Sequence, residues 1–163
     1  GARPHIESLV HDIQAQLVAG TQQGGGGGVV CHADGEIPLQ EFAKMPYNRD
    51  ILVKLIVKKV PVKVAYLAQR HAKTDFPILA CAVSNLNGRW NAVLGARPGK
   101  AELVADVNEM VSEAATAEEA TAFGKYAAEH LRYNTNMRGS AEYRKQITPV
   151  LVKRAMLAAG KGR

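Results

Sequence analysis

Cysteine is scarce in this sequence of 163 residues. Cys31 and Cys81 lie far apart, and neither belongs to a CxxC motif. Two such cysteines are too few for a disulfide framework or for a metal site built from thiolates. This usage is typical of a reducing compartment, so we expect a cytoplasmic protein.

Long apolar runs are also missing, and we expect no leader peptide. No apolar stretch approaches the roughly 20 residues that cross a bilayer, and the first residues lack a basic segment followed by an apolar core. We therefore expect no membrane partner. Aromatic residues make up only 6% of the chain, whereas apolar residues make up 47%. The core should thus consist mostly of Val, Leu, Ile and Ala, in one domain or one domain with an extension.

The usual catalytic patterns are absent as well. There is no GxSxG motif, no cysteine has a convincing local base, and no two histidines form an HxH or HxxxH pair. The five histidines are scattered along the chain: His5, His11, His32, His71 and His130. We assign no catalytic residue and no metal ligand.

Glycine is locally abundant, with five in a row from Gly24 to Gly28. A nest of backbone N–H groups there could hold a pyrophosphate. However, no GK[ST] follows and no clear βαβ unit surrounds the run. A flexible linker is the favoured interpretation, and a ligand loop is the alternative.

Positive charge is in excess: the net charge is +6 and the pI about 9.4. Basic residues surround the first predicted strand together with Tyr66 and Phe76, and such interleaving could stack bases and hold phosphates. The alternative, a solvated sheet edge, is favoured, so we consider a nucleic-acid partner unlikely. A stand-alone basic module for nucleic acid or an anionic ligand remains the second functional hypothesis. The basic residues concerned are Lys58, Lys59, Lys63, Arg70, His71 and Lys73.

Periodicity predicts an α+β fold with a small three-stranded antiparallel sheet packed on a layer of three helices. The strands are expected over residues 62–67, 78–83 and 89–94, with Asn87-Gly88 as the hairpin turn. The helices are expected over residues 103–111, 116–131 and 140–159, and Thr116 with Glu119 fits a capping box. Upstream, an amphipathic helix is expected over residues 5–19 and a β-rich run over residues 51–57. These patterns suggest three parts: an N-terminal extension (1–35), a separate unit (36–60) and the α+β domain (61–163).

The segment Arg138–Arg144 reads RGSAEYR and marks the start of the last helix. Gly139 would permit a backbone turn, Ser140 would cap the helix, and Glu142 would face the positive end of its dipole. The expected inward face of this helix consists of Tyr143, Ile147, Val150, Leu151 and Ala155.

As a whole string, RGSAEYR resembles the RGSxxYR signature near the end of the flavin subunit of molybdenum hydroxylases. That family includes the xanthine and carbon monoxide dehydrogenases. RHAKTDFP at residues 70–77, the Asn-Gly hairpin and GARP at residues 95–98 agree in order and spacing, so the resemblance covers residues 61–159. Upstream, residues 35–42 and 51–56 resemble the end of the preceding flavin-binding domain.

This resemblance implies a detached C-terminal domain of an FAD-binding subunit. In the family, electrons pass from a molybdenum site through [2Fe–2S] clusters to FAD, and then to NAD or another acceptor. The implied partners are the molybdopterin-binding and [2Fe–2S] subunits and an N-terminal FAD-binding domain. We expect FAD in the parent complex, and neither FAD retention nor catalysis by this chain alone.

The resemblance also implies where this domain approaches the flavin: on the first strand and the loop after it. The cofactor-binding residues expected there are Tyr66, Arg70, Lys73, Thr74 and Asp75. Many members carry a lysine just after the strand's aromatic residue, where this sequence has Leu67 and Ala68. Arg70 or Lys73 could take its place. The RGSAEYR segment would hold the last helix to the sheet or form a surface between subunits.

Overall fold

The computed structural model describes residues 29–32, 35–38, 54–56 and 62–161. The helix expected over residues 5–19 and the Gly24–Gly28 run lie outside these described residues. Three short strands form the first sheet: β1 (Val29–His32), β2 (Gly35–Pro38) and β3 (Lys54–Ile56), in the order β2-β1-β3. Both pairings are antiparallel. The β-rich run expected over residues 51–57 is confirmed where it coincides with β3.

The second sheet has four antiparallel strands in sequential order. They are β4 (Lys63–Gln69), β5 (Leu79–Leu86), β6 (Arg89–Gly95) and β7 (Glu102–Ala105). The first three confirm the predicted strands. The β5–β6 hairpin turns at Asn87 and Gly88, whose φ angles are 52° and 82°, as expected for an Asn-Gly turn.

The fourth strand corrects the sequence prediction, because residues 103–111 were expected to be helical. Residues 102–105 instead pair with the open edge of β6, with Asn91 opposite Ala105. The Asp106 carboxylate then accepts the N–H groups of Met110 and Val111, each at 2.9 Å. Glu109 has a φ of 51°, which a right-handed helix excludes. The helical layer thus has two helices, because pairing across the sheet outweighed a short helical pattern.

The first helix, α1 (Ala117–His130), begins as predicted. The Thr116 hydroxyl accepts the Glu119 N–H at 3.2 Å, and the Glu119 carboxylate accepts the Thr116 N–H at 2.8 Å. This is the expected capping box. Phe123, Ala127 and Leu131 are buried, which confirms the predicted inward face.

The second helix, α2 (Ala141–Gly160), begins after Ser140, whose Oγ accepts the Tyr143 N–H at 3.1 Å. The predicted inward face is only partly right, since Tyr143 and Val150 are 39% and 48% exposed. The helix is rotated so that a charged residue points inward, which an apolar pattern cannot indicate. Its buried residues are Arg144, Thr148, Leu151, Val152, Ala155, Met156 and Ala159.

The core lies between the four-stranded sheet and the two helices, where Leu79, Cys81 and Val83 of β5 meet Phe123 and Met156. The helices cross very closely. A Cβ atom placed on Gly124 would lie 2.8 Å from the Pro149 Cα, so glycine alone allows this approach.

Candidate functional site

The loop between β4 and β5, residues 70–78, carries four of the five predicted cofactor-binding residues. Its ends are joined by a 2.7 Å bond from the Ile78 N–H to the Gln69 carbonyl. Inside, the Asp75 N–H donates to the Ala72 carbonyl at 3.1 Å. The Asp75 carboxylate accepts the Phe76 N–H at 2.7 Å. The loop therefore has a defined turn, closed by the backbone and the side chain of Asp75.

Arg70 and Asp75 are brought together by this turn. The Arg70 guanidinium donates a hydrogen bond from Nη1 to the Asp75 backbone carbonyl, across the loop. Both residues thus shape the loop itself.

Lys73 and Thr74 lie exposed at the tip of the same loop, where their side chains are accessible to a ligand or a partner. Tyr66 is apart from them, half-buried within β4 and paired with Ala82. Leu67 packs against the core, so Tyr66 lies on the opposite face of the sheet. Leu67, one of the two residues at the position where the resemblance led us to expect a lysine, is therefore partly buried against the core.

Arg144 bonds the last residue of this loop, Ile78. Its side chain is fully buried, and Nε donates to the Ile78 carbonyl at 2.8 Å. Nη1 donates to the carbonyls of Asn134, at 2.7 Å, and Gly139, and Nη2 to the Asn136 Oδ1 at 2.6 Å. Burial lowers the pKa of Arg144, while the four acceptors satisfy its charge. The RGSAEYR segment therefore holds the last helix to the sheet, the first of the two predicted roles.

The turn before that helix, residues 136–140, is called here the RGS turn. Asn136 and Gly139 exchange backbone hydrogen bonds of 3.1 and 3.2 Å. Gly139 is not among the residues with positive φ, so the expected reason for a glycine was wrong. Space favours glycine here instead, because a Cβ atom would lie 3.1 Å from the Ile78 Cγ2, which would have to shift by a few tenths of an ångström.

Arg138 extends the contact between the RGS turn and the β4–β5 loop. Its guanidinium carbon lies 4.9 Å from the centroid of the Phe76 ring, a cation–π distance. The neighbouring Met137 is 93% exposed. The RGS turn thus contacts the loop at Phe76, while Arg144 in the first turn of α2 bonds the loop at Ile78.

A second buried arginine, Arg97 of the GARP segment, was missed by the sequence analysis. It donates to the carbonyls of Arg132 and, at 2.9 Å, Lys100, and it pairs with Glu102 at 2.8 Å. The Arg97 carbonyl accepts the Asn134 N–H at 3.2 Å. Two arginines therefore fix the connection between α1 and α2. No local sequence signal could have revealed Arg97, because the Arg132 carbonyl that it bonds lies 35 residues away along the chain.

Residues 64–159 match the sequence model of a family described as the CO dehydrogenase flavoprotein C-terminal domain. The chain belongs to this family. The predicted resemblance is therefore confirmed over the four-stranded sheet and both helices. Among curated proteins, none matches the sequence.

Solved structures of molybdenum hydroxylases share the fold of this CO dehydrogenase flavoprotein C-terminal domain. CO dehydrogenase from Hydrogenophaga pseudoflava, lacking the Mo-pyranopterin moiety of its cofactor, superposes with a TM-score of 0.73 at 18% identity, covering 93% of this chain and 58% of that chain. Quinoline 2-oxidoreductase from Pseudomonas putida 86 gives 0.68 at 18% identity, covering 91% and 59%. Reconstituted CO dehydrogenase from Oligotropha carboxidovorans gives 0.62 at 14% identity, covering 93% and 57%. The chain thus spans less than two thirds of the length of each.

The described residues show neither a membrane-spanning helix nor a metal-binding cluster. Neither helix in that part of the chain is long and apolar enough to cross a membrane. Within the same residues, no three His, Cys, Asp or Glu side chains form a group that could hold a metal ion. The assignment of no metal ligand and no catalytic residue stays a prediction for the chain as a whole.

Proposed function

We propose that this chain serves as the flavoprotein C-terminal domain of a molybdopterin-dependent oxidoreductase, where it helps to position FAD and to assemble the subunits. The observation that carries the proposal is the family match over residues 64–159. The β4–β5 loop supports it, because its conformation is held by hydrogen bonds and loops on a rigid scaffold commonly carry binding residues.

Several side chains of the β4–β5 loop and of β4 are chemically suited to contact FAD. Lys73 offers an ammonium and Thr74 a hydroxyl, both exposed, and these donors suit a diphosphate or the polar edge of a flavin ring. Arg70 and Asp75 hold the backbone between them. Tyr66 contributes a half-buried aromatic side chain on the adjoining strand. When bound, FAD would supply the electron-transfer chemistry, while these residues would orient it and shape its surroundings.

The partners follow from the same proposal. A flavin-binding segment would complete the FAD site, and the [2Fe–2S] and molybdopterin-binding subunits would deliver electrons, with NAD or another acceptor receiving them. The proposal also includes a cytoplasmic location, the division of the chain into three parts at residues 35 and 60, and a xanthine-dehydrogenase-like electron acceptor. So does the expectation that this chain alone retains no FAD.

The test is to isolate the chain from its host through an affinity tag and to measure flavin, iron and molybdenum per mole of chain. All three should be present in simple ratios, with the flavin reducible by a substrate of the complex. The chain produced alone should lose added FAD on desalting. A tagged isolate with neither flavin nor metals would contradict the proposal. Binding of single-stranded nucleic acid with a steep salt dependence would favour the basic-module hypothesis instead.

A further inference from the structure

We infer that Arg138 is a positioning residue for the β4–β5 loop, and through that loop for the flavin contact. This inference rests on the proposed function. The guanidinium of Arg138 lies 4.9 Å from the Phe76 ring centroid, and Phe76 directly follows Asp75. Arg138 therefore contacts the loop without itself being among the residues expected to touch the cofactor.

Hydrogen bonds connect Phe76 to the rest of the loop. The Phe76 N–H donates to the Asp75 carboxylate at 2.7 Å. The Asp75 carbonyl accepts from Arg70, and the Asp75 N–H donates to Ala72 at 3.1 Å. Lys73 and Thr74 lie between Ala72 and Asp75, so a shift of Phe76 moves the backbone that presents both side chains.

The other end of the contact is fixed. The Arg138 N–H donates to the Asn136 Oδ1 at 3.0 Å, and the same oxygen accepts from Arg144 Nη2 at 2.6 Å. Arg138 thus stands on a turn held by a buried arginine, while its own side chain is half-buried. This arrangement separates the roles, because Arg144 joins sheet and helix whereas the Arg138 side chain acts on the loop.

The experiment compares Arg138→Ala and Arg138→Lys with Met137→Ala, an exposed neighbour on the same turn. Hydrogen exchange of residues 71–76 and thermal unfolding are measured on the full chain. Flavin dissociation and the flavin reduction potential are measured on the flavin-loaded complex isolated from the host. The exchange measurement does not depend on any cofactor.

For Arg138→Ala we expect roughly two- to fivefold faster exchange in the loop, as loss of a partly exposed cation–π contact implies. We expect flavin dissociation faster by a similar factor, a shifted potential and an unchanged unfolding temperature. Arg138→Lys should restore part of each effect, since an ammonium keeps the charge over the ring but lacks the planar stack. Met137→Ala should behave as wild type.

Unchanged loop exchange in Arg138→Ala would overturn the inference. So would faster exchange with unaltered flavin dissociation and potential, because the loop would then be uncoupled from the cofactor. A wild-type complex without flavin would instead overturn the proposed function, and the exchange data alone would then report whether Arg138 orders the loop.

Discussion

Arg144 Nε donates a 2.8 Å hydrogen bond to the carbonyl oxygen of Ile78, which joins the first turn of α2 to the residue before β5. Three further acceptors surround the same guanidinium, all from residues 134–139. One side chain therefore fixes the sheet, the helix and the RGS turn relative to one another.

Replacing this arginine should be costly. Arg144→Met keeps much of the side-chain volume but removes the charged donor from the buried Ile78 carbonyl and from three part-buried acceptors, so we expect the free energy of unfolding to fall by ~3 kcal/mol. Lys145→Met is the matched control, because its exposed pair with Glu129 contributes only ~0–1 kcal/mol. Urea unfolding measures the free energy of unfolding of the two variants. Equal losses in this free energy would contradict the role assigned to Arg144.

The helix crossing gives a second prediction. Gly124→Ala should destabilise the fold by about 1–3 kcal/mol through overlap with the Pro149 backbone, even though alanine is the better helix former by ~1 kcal/mol. Gly160→Ala, at the exposed end of α2 with nothing within 4 Å of the new Cβ, should not destabilise it. Thermal unfolding would refute the close crossing if both variants were equally stable.

Arg97 and Glu102 should respond unequally to substitution. Glu102 is half exposed, and Arg97 keeps two carbonyl acceptors without it. Glu102→Gln should therefore cost less than about 1 kcal/mol. Arg97→Met should cost ~2 kcal/mol or more, because the Arg132 and Lys100 carbonyls lose a charged donor. Chemical denaturation measures the loss in free energy of unfolding for both variants. A larger loss for Glu102→Gln than for Arg97→Met would contradict this prediction.

The capping box predicts a pH dependence. Bonds from the Thr116 N–H and the Ser112 hydroxyl hold the pKa of Glu119 below its ordinary value of 4.5. A carboxyl with a lowered folded-state pKa contributes stability above its unfolded pKa and loses it as the pH falls through the folded value. Stability should thus decline below about pH 4.5, and Glu119→Gln should reduce that slope while still accepting the Thr116 N–H. An identical slope in thermal unfolding from pH 6 to pH 3 would show that Glu119 does not contribute.

Lys73→Ala tests the loop tip. The side chain is exposed, so the unfolding temperature should not change. In the flavin-loaded complex, loss of a charged donor to the cofactor should weaken flavin retention roughly tenfold or more. Lys153→Ala on α2 serves as the control for removal of one positive charge. Equal flavin retention in the two variants would exclude Lys73 from the contact.

The parts of the fold that the sequence predicts are those with local causes. The β5–β6 hairpin follows from Asn87-Gly88, and both helix starts follow from capping residues. β7 was missed because four residues carry too little periodicity, and the partner strand decides their conformation.

The candidate site was only partly predictable for a related reason. The turn at Asp75 has its cause within the loop, in the Thr-Asp sequence. The burial of Arg144 depends on acceptors at Ile78, Asn134 and Gly139, which lie on separate segments until the chain has folded. No local pattern indicates that an arginine will face inward there, and the same holds for Arg97.

Met137 offers a built-in chemical reporter. It is the most exposed methionine in the described part of the chain, whereas Met156 is fully buried. Peroxide converts an accessible thioether to a polar sulfoxide, and the bonds of Arg144 keep the surrounding turn in place while this happens. The rate of sulfoxide formation at Met137, read by mass spectrometry with Met156 as the internal standard, would therefore reveal whether assembly shields the RGS turn from solvent.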